Sequence, residues 1–121
     1  MNGKKDLMLR TKAFALRIIR LYGALPKSTV AQVIGNQVLR SGTSVGAHVR
    51  EGKRSRSDAE LLSKTRGALQ EIEETSYWLE LLVDSGIMRM ELLDPLMKEA
   101  DELTAILVTS AKTVQRRGDR R

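Results

Sequence analysis

Three glycines, Gly35, Gly42 and Gly46, share one side of a single predicted helix, and they limit the possible folds more than any other feature of the chain. Counted from Ala31 at about 100° per residue, Ala31, Gly35, Val38, Gly42, Gly46 and Val49 fall within about 80° of one another. Val30, Ile34, Ser41, Val45 and His48 widen the sector expected to be buried, while Gln32, Asn36, Arg40, Thr43, Arg50, Glu51 and Arg54 lie opposite. Each glycine inside a helix costs roughly 0.5–1 kcal/mol relative to alanine, so three of them need compensation. Two arrangements fit. In one the helix is continuous and a second backbone approaches the small residues closely. In the other Ser41-Gly42-Thr43-Ser44 is a loop that breaks it. The apolar phase is the same on both sides of the glycines, which favours continuity.

The flanking segments read as amphipathic helices. A first helix over about 6–22 has Asp6 as its expected N-cap. Its inward face is Leu7, Thr11, Phe14, Ile18, Leu21 and Tyr22, helped by Met8, Ala15 and Ile19. Gly23 and Leu25-Pro26-Lys27 turn the chain into Ser28, the expected cap of a second helix over about 29–53. After the basic link Gly52-Lys53-Arg54-Ser55-Arg56, the run Ser57-Asp58-Ala59-Glu60 fits a capping box and opens a third helix over 57–84, with Gly86 as its stop. The fourth, about 90–116, is less clean at its start. Asp94-Pro95 reads as a cap and first helical position, which would make Arg89 to Leu93 a separate turn. Residues 117–121 are a basic tail expected to fray. Four helices with short connections in one 121-residue domain predict an all-α, antiparallel up-down four-helix bundle.

The run Arg40-Ser41-Gly42-Thr43-Ser44-Val45-Gly46-Ala47, followed by Arg50-Glu51, resembles the signature of a small bacterial four-helix-bundle family. Its founding members are the 23S rRNA-intervening-sequence proteins, encoded inside insertions of ribosomal RNA genes. A second run is similar to the same family: Ala68-Leu69, Glu71, Glu74-Thr75 and Tyr77-Trp78-Leu79-Glu80-Leu81-Leu82. The similarity extends from about Leu7 to Val114, and His48 stands where the family pattern has asparagine. The resemblance implies a four-helix bundle assembled as a ring of five, a homopentamer, with no established biochemical activity. Gly35, Gly42, Gly46 and Trp78 are the residues expected to carry packing and assembly. Leu39, Leu81, Ile106 and Val108, off the main stripes, are candidates for subunit contacts.

The chemistry the sequence excludes is broad. There is no cysteine and one histidine, so neither a thiolate metal site nor a Ser/His/acid triad can be argued. Glu71, Glu74 and Glu80 share a helix, but a di-iron bundle needs Glu-x-x-His on two helices. No glycine loop has phosphate-binding spacing. No cofactor or metal is expected, and the chain reads as a non-enzyme. His48 is expected to be a packed, hydrogen-bonded side chain, with a pH-sensitive interface as the other reading. Glu71 and Glu74 have Arg40 or Arg50 as candidate partners.

Charge is the sharpest remaining signal. The net charge is +6. Residues 1–66 hold 14 Lys/Arg against 4 Asp/Glu, +10, and residues 67–121 hold 7 against 11, −4. Such asymmetry suits either a polyanion or complementary faces that meet within or between subunits. Arg10, Arg17, Arg20, Arg50, Lys53, Arg54 and Arg56, with Lys12, form the candidate nucleic-acid-binding set, able to engage RNA or DNA phosphates without sequence preference. Aromatic residues for base stacking are lacking, since Phe14 and Tyr22 are expected inside and Trp78 sits among leucines. The bland reading is that these cations keep the protein soluble and pair with acidic helix faces. No apolar run reaches the length of a membrane span and no signal-peptide pattern opens the chain, so a cytoplasmic location and no membrane partner are expected.

Overall fold

The computed structural model describes the backbone from residue 3 to residue 120 and the side chains from Leu7 to Arg120. Four α-helices follow one another with no strand among the described residues: α1 Gly3–Ala24, α2 Thr29–Lys53, α3 Asp58–Asp84 and α4 Met90–Asp119. Successive helices pack side by side, α1 on α2, α2 on α3 and α3 on α4, whereas α1 and α4 make only a slight contact.

Helix α2 is continuous through the glycines, and α1 packs on them, with side chains against Gly35 and Gly42 and its backbone close only at Gly46. A Cβ built on Gly42 would lie 2.7 Å from Ile18 Cγ1 and 2.9 Å from Ile18 Cγ2. At Gly46 it would lie 3.3 Å from Thr11 Oγ1 and 3.5 Å from the Thr11 carbonyl carbon, and at Gly35 it would lie 2.6 Å from Leu25 Cδ1. These pairings run in reverse order along the two helices: Thr11 with Gly46, Ile18 with Gly42, Tyr22 and Leu25 with Gly35. The small-residue stripe therefore gives up helix propensity for proximity to α1.

Between the helices lies an aliphatic core in which Phe14 is the one fully buried aromatic ring. Ile18, Val38, Val45, Ile72, Leu79, Leu82, Leu103 and Leu107 surround it, each at most 1% exposed. Burying a side chain of this size contributes roughly 1.5–3 kcal/mol. Thr11, Ser41 and Thr75 are the buried polar residues among those described, and each is hydrogen-bonded. Ser41 Oγ donates to Gln37 O at 2.8 Å, and Thr75 Oγ1 lies 2.8 Å from both Ser41 Oγ and Glu71 O, joining α2 to α3. Thr11 Oγ1 donates to Leu7 O at 2.9 Å.

Caps explain the boundaries that sequence placed well. Ser28 Oγ accepts from Ala31 N at 3.3 Å, and Ser57 Oγ accepts from Glu60 N at 3.1 Å. Gly86 adopts φ +79° just beyond α3, a conformation in which a side chain would be strained. Other boundaries differ from expectation. Helix α1 starts at Gly3 and ends at Ala24, so Asp6 is not its N-cap; the Asp6 side chain lies outside the described residues. Helix α4 begins at Met90 with Pro95 inside it, not at Asp94-Pro95. Leu93 is 2% exposed, and its burial holds the turn before the proline in the helix. The predicted frayed tail is helical to Asp119, with Arg117 paired to Asp58 across the bundle; Arg121 lies outside the described residues. Two residues assigned to buried faces are exposed instead: Ile19 at 49% and Val30 at 58%.

Candidate functional site

The topology gathers one kind of charge at one end. A cleft of about 100 Å³ is lined by Leu7 and Met8 of α1, Val49 and Gly52 of α2, Leu61 and Thr65 of α3, and Leu107 and Val114 of α4. The first turns of α1 and α3 and the last turns of α2 and α4 therefore surround one opening. Arg50, Lys53, Arg54 and Arg56 lie at this end, and the first three, with Met8 and Glu51, line a shallow groove beside it. Folding adds Lys64 and Arg66 from α3, Lys112, Arg116 and Arg117 from α4, and Arg120 just beyond it. Among the described residues these segments hold ten cations beside four carboxylates, Glu51, Asp58, Glu60 and Asp119.

Few of these cations are neutralised. Arg117 reaches Asp58 at 3.0 Å and Lys64 reaches Glu51 at 3.5 Å. Arg50, Lys53, Arg54 and Arg56 are exposed. At the far end the cations are met by carboxylates of α4, Lys98 by Asp94 at 2.9 Å and Arg89 by Glu91 at 3.5 Å. The asymmetry that sequence divides between halves of the chain is thus divided along the bundle axis. Sequence reasoning missed Arg66, Lys112 and Arg116 because they are far in sequence from Arg50–Arg56, and it missed Arg117 and Arg120 because it assigned them to a fraying tail. Their signal is the helical periodicity continuing to Val114, which is buried.

The candidate set does not form one patch. Arg10 is held by α4: its Nη2 lies 2.6 Å from Glu99 Oε1 and its Nε 3.1 Å from Glu99 Oε2, with Glu102 at 3.5 Å. Arg17 and Arg20 lie further along α1, at the level of Ile18 and its partner Gly42, away from Arg50 and Arg54. Arg40, rather than Arg50, faces the carboxylates of α3, at 3.6 Å from Glu71 and 3.7 Å from Glu74. Burial raises the Glu71 pKa above the usual carboxylate value, and a hydrogen bond and charge repulsion from Glu74 push the same way; Ser44 and Arg40 oppose the rise.

His48 packs as expected but is not hydrogen-bonded. Its Nδ1 is buried without a hydrogen-bond partner and lies 3.7 Å from Glu51 Oε1. The imidazole lies over Gly67 of α3, where a Cβ would come within 2.9 Å of Nδ1. A glycine in mid-helix is the sequence signal for this pairing. Trp78 is half-buried against the core, its ring 5.1 Å from that of Tyr77, and its Nε1 has no acceptor. Leu39, Leu81, Ile106 and Val108 are half-buried, whereas the large exposed apolar side chains are Leu9, Leu16, Ile19, Val30, Val33, Tyr77, Met90 and Leu92. No group of three or more His, Asp or Glu suited to a metal exists among the described residues, and none of the described helices is long and apolar enough to cross a membrane.

The profile of a family described as 23S rRNA-intervening sequence protein matches residues 4–109. A solved structure from Bacteroides thetaiotaomicron, described as a protein with unknown function from the S23 ribosomal protein family, is 34% identical. The two superpose with a TM-score of 0.85, covering 90% of this chain and 97% of that one. No curated protein matches the chain.

Proposed function

The chain belongs to the 23S rRNA-intervening sequence protein family, and from the placement of its charges we propose a non-catalytic, self-associating helical scaffold. Its four helices run in up-down antiparallel order, and its basic end binds RNA or DNA through the phosphate backbone, without reading sequence. The observation that carries this reading is the gathering, among the described residues, of ten Lys/Arg at one end, seven on α2, α3 and α4 and three (Arg54, Arg56 and Arg120) in the segments that follow α2 and α4, against four carboxylates. Phosphate rows favour such a cluster through charge neutralisation and counterion release. The only exposed aromatic ring among the described residues, Tyr77, lies well away from this end, so base stacking has no platform there. A ring of copies, five in number by family resemblance, multiplies a weak patch through avidity. A cytoplasmic setting, where such polyanions are found, belongs to the same reading.

Titration of the purified protein into labelled single- and double-stranded RNA and DNA tests it. Engagement of about six phosphates loses on the order of 10³ in affinity between 50 and 200 mM salt. Arg50→Glu with Arg54→Glu should abolish the low-salt binding and leave the helical content unchanged. No binding by the intact oligomer at low salt overturns the reading.

One observation favours a second reading, a structural or protein-interaction oligomer with no nucleic-acid role. Arg50 and Lys53 end α2, Arg116 and Arg117 end α4, and Asp58 and Glu60 start α3. Each arrangement stabilises its own helix terminus by about 0.3–1 kcal/mol. Local helix electrostatics thus accounts for part of the cluster without a ligand, and the salt titration separates the two.

A further inference from the structure

The outer faces of α1 and α3 are complementary. Residues 9, 12, 13, 16, 19, 20 and 23 of α1 are all exposed and recur every three or four positions, forming one stripe. At its centre are Leu16 and Ile19, 46% and 49% exposed, flanked by Lys12 and Arg20. On α3 the exposed positions 70, 73, 77, 80 and 84 form a matching stripe. Here Tyr77, 54% exposed, stands among Glu73, Glu80 and Asp84. Neither the two cations nor the three carboxylates have an ion-pair partner among the described residues.

The two stripes also lie at one height on the bundle. Ile18 packs at Gly42, and the adjacent Ser41 is hydrogen-bonded to Thr75. Lys12 to Arg20 therefore stands level with the stretch of α3 that holds Glu73 to Glu80. Helices α1 and α3 are not neighbours in the fold, so their outer faces point away from each other. A basic-apolar face on one side and an acidic-aromatic face at equal height on the other cannot meet within one copy. They can meet between copies related by rotation about an axis parallel to the bundle.

We propose that the partner of the α1 stripe is the α3 stripe of a second copy, so that copies join head to tail through unlike faces. Leu16 and Ile19 seat against Tyr77, while Lys12 and Arg20 face the carboxylates at 73, 80 and 84. A head-to-tail contact of this type closes into a ring when its rotation divides a full turn. The basic ends of all copies then point to the same side. The inference rests on the self-association part of the reading above and specifies its interface.

The test is the mass in solution of four proteins, with circular dichroism to establish that each is folded. They are the wild type, Leu16→Asp, Glu73→Lys with Glu80→Lys, and a four-site exchange adding Lys12→Glu and Arg20→Glu to that pair. The wild type is expected at a multiple of the 13.5 kDa protomer. Leu16→Asp and the one-sided reversal should fall to a single protomer, and the four-site exchange should return to the wild-type mass. Should Leu16→Asp fail to fold, the reversal at the exposed positions 73 and 80 decides alone. A wild type that sediments as a monomer overturns self-association itself. A multimer indifferent to the one-sided reversal, or one the exchange fails to restore, overturns the α1–α3 pairing only.

Discussion

Helix α1 is held on its two sides by opposite means. Against α2 it is drawn in by absent side chains: Gly35, Gly42 and Gly46 let Leu25, Ile18 and Thr11 press toward the α2 backbone. Against α4 it makes little contact, and the bidentate pair of Arg10 with Glu99 bridges the gap. The first seam depends on shape and tolerates no added volume where the neighbour is stiff. The second depends on a charged clamp across a loosely packed boundary, and α1 keeps an exposed outer stripe as a result. A bundle can thus be closed tightly along one edge and left adjustable along the other.

Filling the tight seam should have the largest effect. A Cβ at Gly42 meets both Cγ atoms of Ile18, a β-branched side chain that a helix holds in one rotamer. Gly42→Leu should cost about 3 kcal/mol through overpacking, lowering the melting temperature on the order of 10 °C. Gly42→Ala gains about 0.5–1 kcal/mol of helix propensity, and its net destabilisation should be about 1–2 kcal/mol. Thermal and urea unfolding read both, and a stabilised Gly42→Ala would show that the seam has slack.

Opening the loose seam should matter less. Arg10 and Glu99 side chains are 28% and 18% exposed, so the pair is partly screened. Arg10→Ala leaves a mostly buried carboxylate without its strongest donor and should cost about 1–2 kcal/mol. The loss should shrink at high salt. A loss that persists at high salt would instead assign the effect to packing of the Arg10 aliphatic stem.

This contrast also separates what sequence disclosed from what it hid. Helix α2 was legible to the residue because a Ser28 cap and a single apolar phase agree through the glycines. Starts and ends decided by tertiary burial were not. Leu93 pulls the helix past Pro95, and Arg117, seated on Asp58, keeps the last turns of α4 in place. The candidate site suffered most from distance in sequence. Arg10 and Glu99 are 89 residues apart, so nothing local showed that the Arg10 charge is already neutralised by α4. Likewise Arg54 and Arg116 belong to one end only after two further helices have folded back. Periodicity gives faces, and pairing between faces needs three dimensions.

The finest test compares two glycines on the same stripe. At Gly35 the nearest atom to an added Cβ is Leu25 Cδ1, at 2.6 Å, followed by Tyr22 ring atoms at 3.3 and 3.4 Å. Unlike Ile18, Leu25 meets the intruder with the far end of a flexible side chain, and it sits in the turn after α1 rather than in the middle of a helix. A rotation about its χ angles relieves the contact at an expense comparable to the helix propensity gained, about 0.5–1 kcal/mol. Gly35→Ala should therefore change stability by less than about 0.5 kcal/mol in either direction. Equal and large losses at Gly35 and Gly42 would mean that backbone proximity alone controls the seam. A near-neutral Gly35→Ala beside a destabilised Gly42→Ala would assign control to the stiffness of the residue opposite each glycine.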